Sequence, residues 1–238
     1  IIVPFHPDKY MSEVDREIAE GTSYTYNHTR GFFRKGLDNA ILIGSKEWNE
    51  YVSMHADIPD VNYDLHFMYK TMGVYVIPYE APVINKDNSF KARLANKWMD
   101  FQGLMEHGPE PGTRIEEGQI ISVPDNRELI TKAKTYNEIL FDSIGTKYGG
   151  DYYVFINHLD ILRAHNSQTE LEADNYERVI KVHYTVFDSA GNELFSLIKK
   201  RYFSSRENDI RAIITEHFLP LGYEIIYSLD SYRFLQAG

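Results

Sequence analysis

The sequence predicts an α/β (α+β) fold: a single domain with a mixed sheet, a C-terminal antiparallel hairpin flanked by helices, and an insertion at about 79–118. Three observations carry this reading. Residues 178–187 alternate, with Ile180, Val182, Tyr184 and Val186 on one side; Asp188-Ser189-Ala190-Gly191 then makes a tight turn into a return strand over 192–203. Ile210, Ile214, Phe218, Leu221, Ile225, Leu229 and Tyr232 hold steps of four and three straight through Pro220, the spacing of one helix face. The remaining segments alternate between strand-like and helix-like patterns, as a mixed α/β arrangement requires.

The elements follow in order. Ile1-Ile2-Val3-Pro4-Phe5 reads as a short buried strand stopped by Pro4 and Pro7. Ser12-Glu13-Val14-Asp15 reads as a helix start, because a Ser hydroxyl accepts an orphan N–H and acids suit the positive helix end; Gly21 is the stop. A second helix begins near Thr25, with Tyr26, Phe33, Leu37 and Ile41 on one stripe. Trp48, Tyr51, Val52 and His55 share helical spacing, and 65–72 fits either a helix or a strand. Gly73-Val74-Tyr75-Val76-Ile77-Pro78 is β-branched and aromatic, hence a strand. Prolines and glycines break up 79–118, although 91–101 has a helical stripe through Leu94 and Trp98.

Ile120-Ile121-Ser122-Val123-Pro124 is a short strand, and a helix capped by Asp125 or Asn126 is expected to follow through Leu129, Ala133, Tyr136, Leu140 and Ile144, ending at Gly149-Gly150. Residues 152–162 begin apolar on both faces, the mark of an interior strand. The C-terminal apolar series predicts one long kinked helix, or two nearly collinear ones, with Pro220 opening the second.

Composition narrows function by exclusion. The 238 residues hold 25 Lys+Arg against 35 Asp+Glu, a net charge of −10, which disfavours a nucleic-acid partner because phosphate neutralisation needs a basic face. The absence of cysteine removes disulfides, thiolate nucleophiles and Cys-ligated metals. No apolar run approaches a membrane span. Phosphate-loop glycine patterns and a Gly-x-Ser-x-Gly elbow are missing from the sequence, and no cofactor is expected. The chain opens on Ile, consistent with loss of an initiator Met and a targeting segment.

A few residues keep chemical interest. His158 and Asp160 project from one strand face and His183 lies on the next strand, a two-His, one-carboxylate set suited to zinc or iron. The same residues also suit the polar end of a sheet, with His158 bonded to a backbone carbonyl. Asp57, Asp60 and Asp64 lack the glycine-containing calcium pattern and read as a solvated turn. Lys199, Lys200, Arg201, Arg206 and Arg211 form a basic cluster that suits either an anionic partner or a charge-protected edge strand. Tyrosine is abundant, at 18 residues against 2 Trp, and Tyr75, Tyr79, Tyr152 and Tyr153 would line a ligand groove between sheet and insertion. Trp98 and Phe101 in the insertion either form a contact surface or pack down on the sheet.

The opening Ile1-Ile2-Val3-Pro4-Phe5 is similar to the first strand of bacterial envelope proteins with a TolB amino-terminal-like or curli-secretion-lipoprotein-like α/β domain. The run Ile144-Gly145-Thr146-Lys147-Tyr148-Gly149-Gly150-Asp151-Tyr152-Tyr153-Val154 resembles their helix-to-strand junction, and Val182 to Asp188 into Gly191-Asn192-Glu193 resembles the paired strands that follow. This resemblance implies either a periplasmic module or a lipoprotein held by a lipid anchor upstream of Ile1, one that binds other proteins or itself and has no active site. The insertion and the two helices before residue 44 depart from a minimal domain of that type, and a cytoplasmic location stays open. The rivals are a metal-dependent hydrolase built on His158, Asp160 and His183, and a small-ligand binder with a Tyr-rich groove.

Overall fold

The computed structural model describes residues 1–47, 54, 59–79, 112–116, 119–123, 127–137, 139–164 and 176–236. Its contacts separate two compact units, Ile1–Tyr75 with Thr131–Gly238, and Val76–Ile130. The fold is mixed α/β, as the sequence predicts.

In the first unit the sheet is built around three long strands, β7 (Tyr152–Arg163), β8 (Glu177–Asp188) and β9 (Glu193–Ser204), in antiparallel order. Two short strands, β1 (Ile2–Val3) and β2 (Tyr10–Ser12), run parallel to β7 on its free edge and make the sheet mixed. The β8–β9 turn closes with Gly191 at φ +83, a conformation that disfavours any side chain.

Helices cover both faces. On one face lie α1 (Asp15–Glu20), α2 (Tyr26–Gly44), α5 (Ile210–Ile213) and α6 (Leu219–Gln236). The Ser12 hydroxyl accepts from the Val14 and Asp15 amides, as its place before the helix predicts, and α2 starts where expected, with Thr25 capping it through the His28 amide. Phe33, Leu37 and Ile41 of α2 meet Ile180, Val182 and Tyr184 of β8 in one buried cluster. The last two helices form a continuous rod through a π turn at Ile214–Phe218. The widened turn sits just before Pro220, which has no N–H to donate and would crowd a regular helix; Phe218, Leu221, Ile225 and Leu229 stay buried on both sides of it.

On the other face α3 (Pro59–Thr71) and α4 (Leu140–Tyr148) build a second cluster around Phe141, Tyr153, Phe155 and Phe187. The open reading at 65–72 resolves as helix to Thr71, followed by β3 (Met72–Pro78), which pairs with β6 (Leu129–Thr135) in a two-stranded ribbon. In the second unit β4 (Gly112–Glu116) and β5 (Gln119–Val123) pair antiparallel, and the Tyr79 amide donates to the Glu128 carbonyl at 2.6 Å.

One element departs from the sequence reading. The helix expected from residue 129 to 144 is a strand to Thr135 and a helix only from Leu140. Leu129 and Tyr136, members of the expected apolar stripe, are 55% and 73% exposed. The stripe's helical spacing is a coincidence of composition, and the alternation of buried Thr131 and Ala133 with the more exposed Lys132 and Lys134 follows the period of a strand. The expected helix through Trp48, Tyr51, Val52 and His55, and the stripe through Leu94 and Trp98, lie outside the described residues.

Candidate functional site

The sheet carries a patch of buried polar side chains opposite the α1–α2 face, and a bulge in β7 creates it. Ile156 pairs with Tyr184 and His158 with His183, so Asn157 has no partner in the register. Val154, Ile156, Leu159 and Ile161 all join the helix-side cluster, a spacing of two, three and two. The extra residue therefore turns Asn157, His158 and Asp160 to the opposite face, beside His183 and Thr185.

Asp160 is the hub. Its Oδ1 lies 3.1 Å from His158 Nε2 and its Oδ2 lies 3.4 Å from His183 Nε2, with the two imidazole centroids 5.9 Å apart. Burial alone would push this carboxyl up; the contacts from the His158 and His183 imidazoles outweigh it and hold the group down at about 2. His183 Nδ1 accepts the Thr131 amide at 3.0 Å, which places its proton on Nε2, facing the carboxylate. Thr131 Oγ1 also lies 3.5 Å from His158 Nδ1.

The neighbouring polar groups serve the backbone of β6. Asn157 Nδ2 donates to the Thr131 carbonyl at 2.9 Å and to Thr185 Oγ1 at 2.7 Å, and the Ala133 amide donates to that same hydroxyl at 3.1 Å. Thr185 Oγ1 lies 2.9 Å from Ser196 Oγ, which donates to Glu193 Oε1 at 3.0 Å; Lys132 of β6 pairs with Glu193. Three backbone groups of β6 are thus satisfied by side chains of β7 and β8 where no ladder reaches them. This chemistry explains why histidine, asparagine and threonine occupy interior positions.

The structure thus brings together the three residues selected for a metal, but as two imidazoles on opposite oxygens of one carboxylate. Among the described residues, the group whose donor atoms all fall within 4.8 Å of one another is Glu207, Glu216 and His217. There His217 Nε2 already faces both Glu207 oxygens, at 3.1 and 3.2 Å, clipping the loop after β9 to the π turn.

Tyr152 and Tyr153 do not share one groove. Tyr152 and Tyr153 are strand neighbours and point to opposite faces: Tyr153 is fully buried, donating to the Phe141 carbonyl at 2.9 Å, while Tyr152 packs under Arg233 in the helix-side cluster. Tyr75 and Tyr79 are half-buried, and Trp98 and Phe101 lie outside the described residues. Asp64 accepts from Lys147 Nζ at 2.6 Å and from the Tyr148 hydroxyl at 2.5 Å, joining α3 to α4. The basic run falls on β9, the outer strand of the sheet, where Lys199 is buried and Arg201 pairs with Glu224 of α6.

Sequence reading missed Asn157, Thr131 and Thr185. The available signal was a single amide within the apolar run of 152–162, where an interior polar group must have a partner. No helix among the described residues is long and apolar enough to cross a membrane. No family model matches the chain, and no curated protein matches it.

Proposed function

We propose that the protein is a non-enzymatic binding module of the bacterial envelope whose partner is another protein or a second copy of itself. The observation that carries this reading is an aromatic corner between α1 and α2. Tyr24, Tyr26 and Phe32 are exposed there, Tyr24 and Phe32 meet edge to face at 4.9 Å, and the Arg30 guanidinium stands 5.6 Å over the Tyr26 ring. Aromatic and Arg side chains dominate binding energy at protein interfaces. The resemblance to envelope domains supports the location, and a signal segment ending in a lipid-modified Cys upstream of Ile1 is the observation that tests it. For the partner, cross-linking in a cell extract together with light scattering is expected to detect a complex that Tyr24→Ala combined with Phe32→Ala weakens by about tenfold or more. Absence of any complex, together with turnover of a small molecule, would refute the reading.

A metal-dependent hydrolase is the second reading. It is favoured by two buried atoms of the Asp160 cluster, Asp160 Oδ1 and His183 Nε2, that have no aligned hydrogen bond. His158, Asp160 and His183 would hold the ion, and its chemistry would be activation of a bound water.

A further inference from the structure

A cleft of about 230 Å³ opens between the loop after β1, α2 and α3, and involves none of the Asp160 cluster. Phe5 and His6 come from the loop, Arg34 and Asp38 from α2, and His66 and Tyr69 from α3. At about 30 Å³ per water, the space equals roughly eight waters, the scale of a free amino acid rather than a nucleotide.

Its wall at one end is aromatic and internally bonded. The His6 ring meets Tyr69 edge-on at 4.9 Å, the Tyr69 hydroxyl donates to the Pro4 carbonyl at 2.7 Å, and the Arg34 guanidinium sits 5.6 Å over Phe5. The other end holds opposite charges one helical turn apart that do not pair within ion-pair distance of each other. Asp38 Oδ1 and Arg34 Nε are both buried and both without a hydrogen-bond partner. Arg34 and Asp38 both line the cleft, so a group held there meets a guanidinium and a carboxylate side by side, and its own polar atoms select for that pair. It must donate to a carboxylate and accept from a guanidinium within a few ångströms.

We infer that this cleft binds a small zwitterion of amino-acid size, its ammonium on Asp38 and its carboxylate on Arg34. Burial pushes the Asp38 carboxyl up to about 7, with the Arg34 charge opposing, so its ionised form gains from a cationic partner. Arg34 on its own helix, His66 and Tyr69 from α3 and His6 from the loop are the titratable or charged groups lining the cleft around it.

The test is thermal melting of the full chain at pH 8 with each of the twenty free α-amino acids, and with the N-acetyl and amide derivatives of any that act. At least one free amino acid is expected to raise the melting temperature, and both blocked derivatives to lose the effect. Asp38→Asn and Arg34→Gln are each expected to weaken binding by about tenfold or more. Asp38→Asn should melt no lower than the parent at this pH, which separates lost binding from lost folding. The inference is overturned if no amino acid shifts the parent protein, if blocked derivatives act equally, or if Asp38→Asn responds like the parent. Partner capture through Tyr24 and Phe32 is read independently of every one of these outcomes.

Discussion

Two aspartates show how partners, not burial alone, decide the state of a carboxyl group. Burial opposes ionisation of both Asp160 and Asp38; two imidazoles reverse it at Asp160, whereas the Arg34 charge is insufficient at Asp38. The signs of their pH effects are therefore opposite. Asp160 is held down at about 2, so it contributes stability that is present above the unfolded value of about 4 and is lost as the pH falls through the folded one. Asp160→Asn is expected to lower stability in urea unfolding by about 2–4 kcal/mol at pH 7, the cost of leaving buried partners behind, with the deficit narrowing below about pH 4. Asp38 keeps its proton in the folded state up to about 7; between about 4 and that value the folded chain binds more protons than the unfolded one, and stability falls as pH rises. Asp38→Asn is expected to stabilise by roughly 1–3 kcal/mol at pH 8 and to be neutral near pH 4.

At the scale of elements, α2 and α6 pack closely enough for glycine to be decisive. A methyl group at Gly222 would overlap the backbone carbonyl of Ala40, and one at Gly44 would press on the backbone at Gly222. Gly31, on the same helix α2, faces open space. Gly222→Ala should therefore destabilise by about 1–3 kcal/mol, and Gly31→Ala should stabilise by about 0.5–1 kcal/mol through helix propensity, a contrast that thermal unfolding of the two variants reads directly. Much at this scale was legible in the sequence. The α2 stripe through Phe33, Leu37 and Ile41 and the β8–β9 hairpin follow from spacing because their apolar faces meet one continuous core. The strand at Leu129–Thr135 was not legible, because its interior backbone bonds go to Asn157, His183 and Thr185 side chains that are remote in sequence. The break at Pro220 was legible, but its form was not: relief comes from the π turn preceding the proline.

For the whole molecule, the mixed sheet with helices on both faces follows from the order of patterns along the chain. The convergence of His158, Asp160 and His183 does not, because it depends on the β7–β8 register and on the one-residue slip at Asn157. Without that slip His158 and Asp160 would join the apolar face under α2. The Arg34–Asp38 cleft was equally hidden, because its lining comes from the Pro4–Pro7 loop, α2 and α3, segments that only the fold brings together. The Asp160 cluster and its neighbours secure β6 to the sheet, and on the proposed reading molecular recognition lies on other surfaces. Melting of the metal-free protein with and without Zn²⁺, beside Asp160→Asn, tests it most directly, since a native-state ligand raises the melting temperature. The expected result is a Zn²⁺ response that is absent or identical in the two proteins, with Asp160→Asn melting lower throughout; a Zn²⁺-induced rise in the parent that Asp160→Asn abolishes, accompanied by hydrolytic turnover, would contradict it.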